Sequence, residues 1–142
     1  MTPVEADLYA TYGDDLVRFA STVAGPSDAQ DVVSQAMTKL IDNGALRDAP
    51  NPRALMYRTV FNEAKSMQRS GFRRRWRERA TATSIVIHDP EVRPDVVVAV
   101  LRLSPQQRAC VWLTYWADLS VADTADHLGI SGGSVKQHLS RA

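Results

Sequence analysis

The sequence predicts an all-α protein made of two small helical domains joined by a flexible linker. Three observations predict it. Apolar residues recur at spacings of three and four through most of the chain. Hydroxyl or amide residues followed by proline or glutamine mark helix starts, and Gly-containing pairs mark the stops. The periodicity fails once, between residues 72 and 93, so the expected organisation is a first domain over 1–71, a basic linker over 72–93 and a second domain over 94–142. At 142 residues the chain suits one ordinary domain or two very small ones and excludes a large multi-domain enzyme.

The first helix is predicted from Val4 to about Val23, with Leu8, Tyr12, Leu16 and Phe19 on one face, and Gly25-Pro26 ends it. Ser27 to Gln30 reads as a capping box opening a second helix, whose apolar face is Ala29, Val32, Val33, Ala36, Met37, Leu40 and Ile41. Asn43-Gly44 stops it, and Gly44 to Pro50 reads as a polar loop. Asn51-Pro52 restarts a helix, with an amide at the cap and proline in the first turn, and Leu55, Met56, Thr59, Val60, Ala64 and Met67 carry the stripe to Ser70-Gly71. In the second half, Pro94 opens an apolar pattern through Val97, Val100 and Leu101. Ser104 to Gln107 repeats the capping box before a helix through Val111, Leu113, Thr114 and Trp116, Asp118-Leu119 turns the chain, and Ser120 caps a short helix that Gly129 breaks.

Composition narrows the function classes. With 44% hydrophobic and 23% charged residues the chain is globular rather than disordered. It has no apolar run near the roughly 18 residues of a membrane span, and no basic and apolar leader after Met1, so a cytoplasmic protein without membrane insertion is expected. The lone Cys110 makes no internal disulfide or cysteine-based zinc site and reads as a buried small hydrophobe; no metal or cofactor is expected. Catalysis is not expected either, because His88, His127 and His138 are scattered and no Gly-rich phosphate loop or nucleophile at motif spacing is present. The net charge of +1 is segregated: residues 1–50 carry −5, residues 51–80 carry +7 and residues 81–142 carry −1. A basic middle suggests one surface for a polyanion and other surfaces for something else.

The last twenty-two residues have helix-turn-helix spacing. Ala125 is small enough for a close helix approach, Gly129 suits the positive φ of the tight turn, and Leu128, Ile130 and Val135 fill the wedge. The final helix, from about Gly132, would turn Ser134, Lys136, Gln137, His138 and Arg141 outward, where they can meet base edges or phosphates in a major groove. An ordinary helical hairpin is the competing reading. The arginines at 69, 73, 74, 75, 77 and 79, interleaved with Phe72 and Trp76, repel one another unless a polyanion is near, with a solubilising linker as the alternative. Tyr57, Phe61 and Trp76 could stack on exposed bases, though the core is the favoured place for Phe61.

The order of these parts resembles the extracytoplasmic-function sigma factors, two-domain promoter-recognition subunits of bacterial RNA polymerase. Ala29 to Met37 resembles the family's AEDLVQEVF, and Pro52 to Asn62 its PRAWLYRIARN. Leu103 to Arg108 is similar to LPPRQR, Leu119 to Gly129 to LSYEEIAEILG, and Gly133 to Lys136 to GTVK. The resemblance implies that Asp31, Val32, Ser34 and Gln35 dock on the clamp helices of the polymerase β′ subunit, with the β subunit as a further contact. It implies that Arg53, Arg58, Asn62, Lys65 and Arg69 face the minus-ten element as single-stranded DNA, with Gly44 to Pro50 as the specificity loop. The outward residues of the last helix would read the minus-thirty-five element as duplex, and an anti-sigma factor is an expected partner.

Departures from the family pattern are Ala36 to Thr38 in place of a bulky residue, Ser34-Gln35 in place of a glutamine-acid pair, and Gln137-His138 in place of serine-arginine. The family's recognition helix continues where this chain stops at Ala142, which implies either a trimmed chain or a short member with weaker upstream binding. Two other readings compete: a helix-turn-helix regulator that is not a polymerase subunit, and a sigma-like interaction protein without initiation activity. A plain regulator has no reason to carry the Asp31 face and the Arg58/Asn62 edge.

Overall fold

In a computed structural model the described residues are 1–67 and 94–142, with Pro94, Val96 and Val97 described by their backbone alone; the arginine cluster and the rest of the expected linker lie outside them. Every regular element among the described residues is helical: α1 Pro3–Ala24, α2 Ala29–Asp42, α3 Ala45–Asp48, α4 Pro52–Met67, α5 Pro94–Leu101, α6 Pro105–Val111, α7 Val121–Leu128 and α8 Gly132–Arg141.

Local chemistry explains most boundaries. Thr2 and Glu5 form a reciprocal capping box at the start of α1, Thr2 N–H donating to Glu5 Oε2 at 2.7 Å and Glu5 N–H to Thr2 Oγ1 at 3.2 Å. Ser104 and Gln107 do the same for α6, as the sequence predicts. Asn51 Oδ1 accepts the Ala54 amide at the start of α4. The Ser27 capping box is not formed. Instead α2 begins one residue later with Asp28 at the cap in helical rather than extended backbone, a geometry that leaves no side-chain cap bond.

The expected polar loop at Gly44 to Pro50 also differs. Gly44 takes a left-handed φ of 66°, and Ala45–Asp48 then closes one helical turn because Leu46 has a core site to fill. After α6 the helix widens into a π turn over Trp112–Trp116, with Ala117 N–H bonded to Trp112 O at 2.9 Å.

In the first half α1, α2 and α4 pack on one another around Leu16, Phe19, Val23, Val33, Val60 and Phe61, all fully buried. In the second half α6, α7 and α8 close on Ala109, Cys110, Leu113, Leu128 and Val135. These are one core. α4 packs on α7 and α1 on α6, and the Trp112 ring lies 5.4 Å from that of Phe19 and 6.1 Å from that of Tyr57. Tyr57 is therefore core, fully buried beside Phe19 and His127, and is not a base-stacking platform.

Candidate nucleic-acid interface

The C-terminal hairpin has the geometry its sequence predicts. Ser120 caps α7 by accepting the Asp123 amide, and α7 buries Thr124, Ala125, His127 and Leu128. Gly129 stands at φ 69°, ψ 33°, where its amide and that of Ile130 both bond to Ala125 O, at 2.8 and 3.1 Å. Only glycine adopts this backbone without a Cβ penalty. Ser131 caps α8 through the Ser134 amide, and the only fully buried residue of α8 is Val135. Lys136, Gln137 and Arg141 are exposed, while Ser134 and His138 are half-buried on the flanks of the same helix. An apolar underside and a polar, basic outer face fit a helix that enters a major groove.

The first half presents two further sets. On α2, Asp31, Ser34 and Gln35 are exposed together, one helical turn apart, but Val32 is fully buried. Its place in the expected docking face is corrected: the i+1 position after Asp31 turns inward and fills the bundle core. On α4, Asn62 is exposed and the Lys65 ammonium lies 4.6 Å above the Phe61 ring. Arg53 is half-buried, 5.6 Å from the Tyr12 ring and 5.5 Å from that of Tyr57, with its Nε buried and unpartnered. Arg58 reaches the second half, where Nη2 donates to Asp126 O at 3.2 Å. Arg69 lies outside the described residues. The turn at α3 is tied to α1, with Arg47 Nε 3.6 Å from Glu5 Oε1. Backbone and side-chain hydrogen bonds from Thr2 hold the Glu5 carboxyl below its usual range despite burial, with Arg47 adding to the effect.

Three residues that the sequence did not single out for contact between the halves make that contact. Arg108, only 3% exposed, donates from Nε to Thr22 O at 2.9 Å and from Nη2 to Val23 O at 3.0 Å, and from Nη1 to Leu103 O at 2.6 Å. It thereby supplies a cation to the C-terminal carbonyls of α1, which has no basic residue in its last turn. Trp112 stacks into the first core. His127 is buried with Nδ1 2.7 Å from Asp123 O; a carbonyl only accepts, so the neutral ring carries its proton on Nδ1 and Nε2 is a bare, unpartnered acceptor. Burial pushes the His127 pKa down and that of Tyr57 up to about 12, with the Arg53 guanidinium opposing the Tyr57 shift. Cys110 is buried as expected, its thiol pushed up to about 11 by desolvation.

Among the described residues no cluster of three His, Cys, Asp or Glu side chains is placed to hold a metal, and no helix is long and apolar enough to cross a membrane.

Comparison with known proteins agrees with this geometry. The family described as sigma-70, region 4 matches residues 95–142. The chain is 30% identical to an RNA polymerase sigma-E factor of Streptomyces coelicolor, over 93% of this chain and 77% of that protein. It is 29% identical to one of Streptomyces avermitilis, over 93% and 76%, and 28% identical to one of Streptomyces antibioticus, over 96% and 78%. A chain whose described regular elements are all helical, with a helix-turn-helix over its last described helices, and which aligns along most of these relatives, belongs to the extracytoplasmic-function family of RNA polymerase sigma factors.

Proposed function

We propose that this chain binds bacterial core RNA polymerase and directs promoter-specific initiation, with the work divided between its two halves. The observation that carries the reading is the hairpin at Gly129, which turns one polar, basic face of α8 outward in a chain of sigma-factor lineage. Residues 1–71 form the region-2-like part. There Asp31, Ser34 and Gln35 offer an exposed polar face to the β′ clamp helices, and the β subunit makes a further contact. Arg53, Arg58, Asn62, Lys65 and Arg69 meet the minus-ten element as single strand, because cationic and amide groups beside a turn suit an unstacked base and its phosphates. Residues 94–142 form the region-4-like part, and Ser134, Lys136, Gln137, His138 and Arg141 read the minus-thirty-five duplex. No catalytic step is assigned to the chain itself, the site of action is the cytoplasm, and an anti-sigma factor is the expected regulator.

The test is co-purification of the full chain with core polymerase. The complex is expected to form with the native chain and to be lost with Asp31→Arg combined with Gln35→Ala, while the α8 variant Lys136→Ala keeps core binding. Duplex binding without core binding would overturn the reading in favour of a free-standing regulator.

A further inference from the structure

α7 places a buried histidine where the segment it resembles has an aliphatic residue. Leu119 to Gly129 matches LSYEEIAEILG position for position, and the ninth position, isoleucine there, is His127 here. His127 is 3% exposed and faces α4 at the seam between the two halves, with the fully buried Tyr57 across from it. An imidazole in an aliphatic place is costly unless its polar atoms are satisfied. Nδ1 is satisfied, 2.7 Å from Asp123 O. Nε2 is buried without a protein partner, and so are two atoms of α4, the Tyr57 hydroxyl and Arg53 Nε.

The three atoms belong to neighbouring groups. The Tyr57 and His127 rings lie 5.3 Å apart and are tilted by 55°, Arg53 Cζ is 5.5 Å from the Tyr57 ring, and the guanidinium acts on the charge of both. Their hydrogen-bonding capacities are complementary. With its proton on Nδ1, His127 only accepts at Nε2; Arg53 Nε only donates; the Tyr57 hydroxyl does either. A water molecule answers all three, donating to Nε2, accepting from Arg53 Nε and sharing one bond with Tyr57, and about three bonds is what a buried water ordinarily makes. An inorganic anion has no proton to give to Nε2, and a metal ion is repelled by the Arg53 cation.

We infer that Arg53, Tyr57 and His127 form an enclosed site for one water molecule, bridging α4 and α7, and that the site holds it only while His127 is neutral. Protonation turns Nε2 from an acceptor into a donor, so the water loses the group that takes its proton, and a second cation then stands beside Arg53. The charged and titratable groups around the imidazole are Arg53 and Tyr57 from α4 and Asp123 and Asp126 from α7, with Asp15 and Tyr12 of α1 acting on Tyr57, and Arg58 of α4 bonded to Asp126 O. Through this site the second half holds Arg53, a side chain that the promoter reading assigns to the minus-ten strand.

The test uses the full chain, with water itself as the probe. A crystal structure at pH 7.5, at a resolution that shows ordered water, should place one molecule within about 3.2 Å of all three atoms. In solution, nuclear magnetic resonance of the chain with labelled histidine should show Nε2 unprotonated at pH 7.5, and cross-relaxation from water to the carbon-bound protons of the His127 ring that fades as acid protonates it. Denaturant unfolding supplies the energetic arm. Tyr57→Phe removes the hydroxyl and keeps the ring, and His127→Ile removes the acceptor. If the two share a guest, the double variant should lose about tenfold less in folding constant than the product of the two single losses. A dry site or a direct Tyr57–His127 bond in the crystal, a proton on Nε2 at pH 7.5, or single losses that simply multiply would each overturn the inference. Cross-relaxation that persists unchanged with the ring protonated would overturn its dependence on neutral His127.

Discussion

Arg108→Ala tests the energetics of the joined core most directly. Arg108 is 3% exposed, and its guanidinium makes two bonds across the seam, at 2.9 and 3.0 Å, to carbonyls in the last turn of α1. A hydrogen bond to a charged group contributes about 1.5–3 kcal/mol, and a cation at a helix C-terminus adds about 0.5 kcal/mol. Removing the side chain also removes the cost of keeping a desolvated cation, which offsets the third bond, to Leu103 O, and the helix-end contribution, so with the low end for each seam bond the expected loss is about 3 kcal/mol. For a chain of this size about 3 °C is lost per kcal/mol, giving a fall in Tm of about 9 °C. Arg108→Lys keeps the charge but not the fork and should recover only part of the loss. The assay is thermal unfolding followed by circular dichroism at pH 7.5. A loss below about 1 kcal/mol for alanine, or a lysine variant equal to the native chain, would refute the claim that the fork joins the halves.

Other expectations follow from the same geometry. The His127 pKa is lowered in the folded chain, so the unfolded chain protonates first; its contribution is whole above about pH 6.5 and is lost as pH falls through the lowered value. The groups facing it are Arg53 and Tyr57 from α4, and Asp123 and Asp126 from its own helix. Urea unfolding at pH 7.5 and 5.5 should therefore show a steeper decline for the native chain than for His127→Gln, and equal declines would contradict the argument. Gly129→Ala must hold an L-residue at φ 69° and also push Arg58 aside, so a loss of about 1–2 kcal/mol is expected in denaturant unfolding. Phe19→Ala opens a cavity between both halves and should cost about 3–5 kcal/mol, measured in the same way. Cys110, with its thiol near pKa 11, should react with a thiol reagent at pH 7.5 only as fast as the chain unfolds; immediate labelling would show that it is not buried.

The hairpin was legible in the sequence because its signals are local: the Ser120 cap, the glycine at 129 and the inward Val135 each decide the conformation of their own neighbours. The same holds for the Ser104-Gln107 capping box and the Asn51 cap. What the sequence hid was long-range. Phe19, Tyr57 and Trp112 each fit an apolar stripe in their own helix, and nothing in a stripe says that it faces the other half of the chain. Arg108 and His127 read as one more polar position in short helices, since the carbonyls and rings that receive them come from residues tens of positions away. Val32 and Leu46 show the smaller form of the same gap. Val32 follows an exposed docking candidate but turns inward, and Leu46 is the single apolar anchor that turns an expected loop into a helical turn. The Ser27 box failed because a cap needs extended backbone, and the turn after Gly25 delivers Asp28 in helical geometry instead.

The central claim, that this chain selects promoters for RNA polymerase, is tested most directly by mapping transcript starts. Core polymerase and a library of genomic DNA fragments are incubated with and without the chain, and RNA 5′ ends are sequenced. Discrete start sites that appear only with the native chain, weaken with Lys136→Ala and vanish with Arg58→Ala combined with Asn62→Ala are the predicted result. A start-site profile indistinguishable from that of core polymerase alone, obtained with a chain that is folded and bound to core, would contradict it.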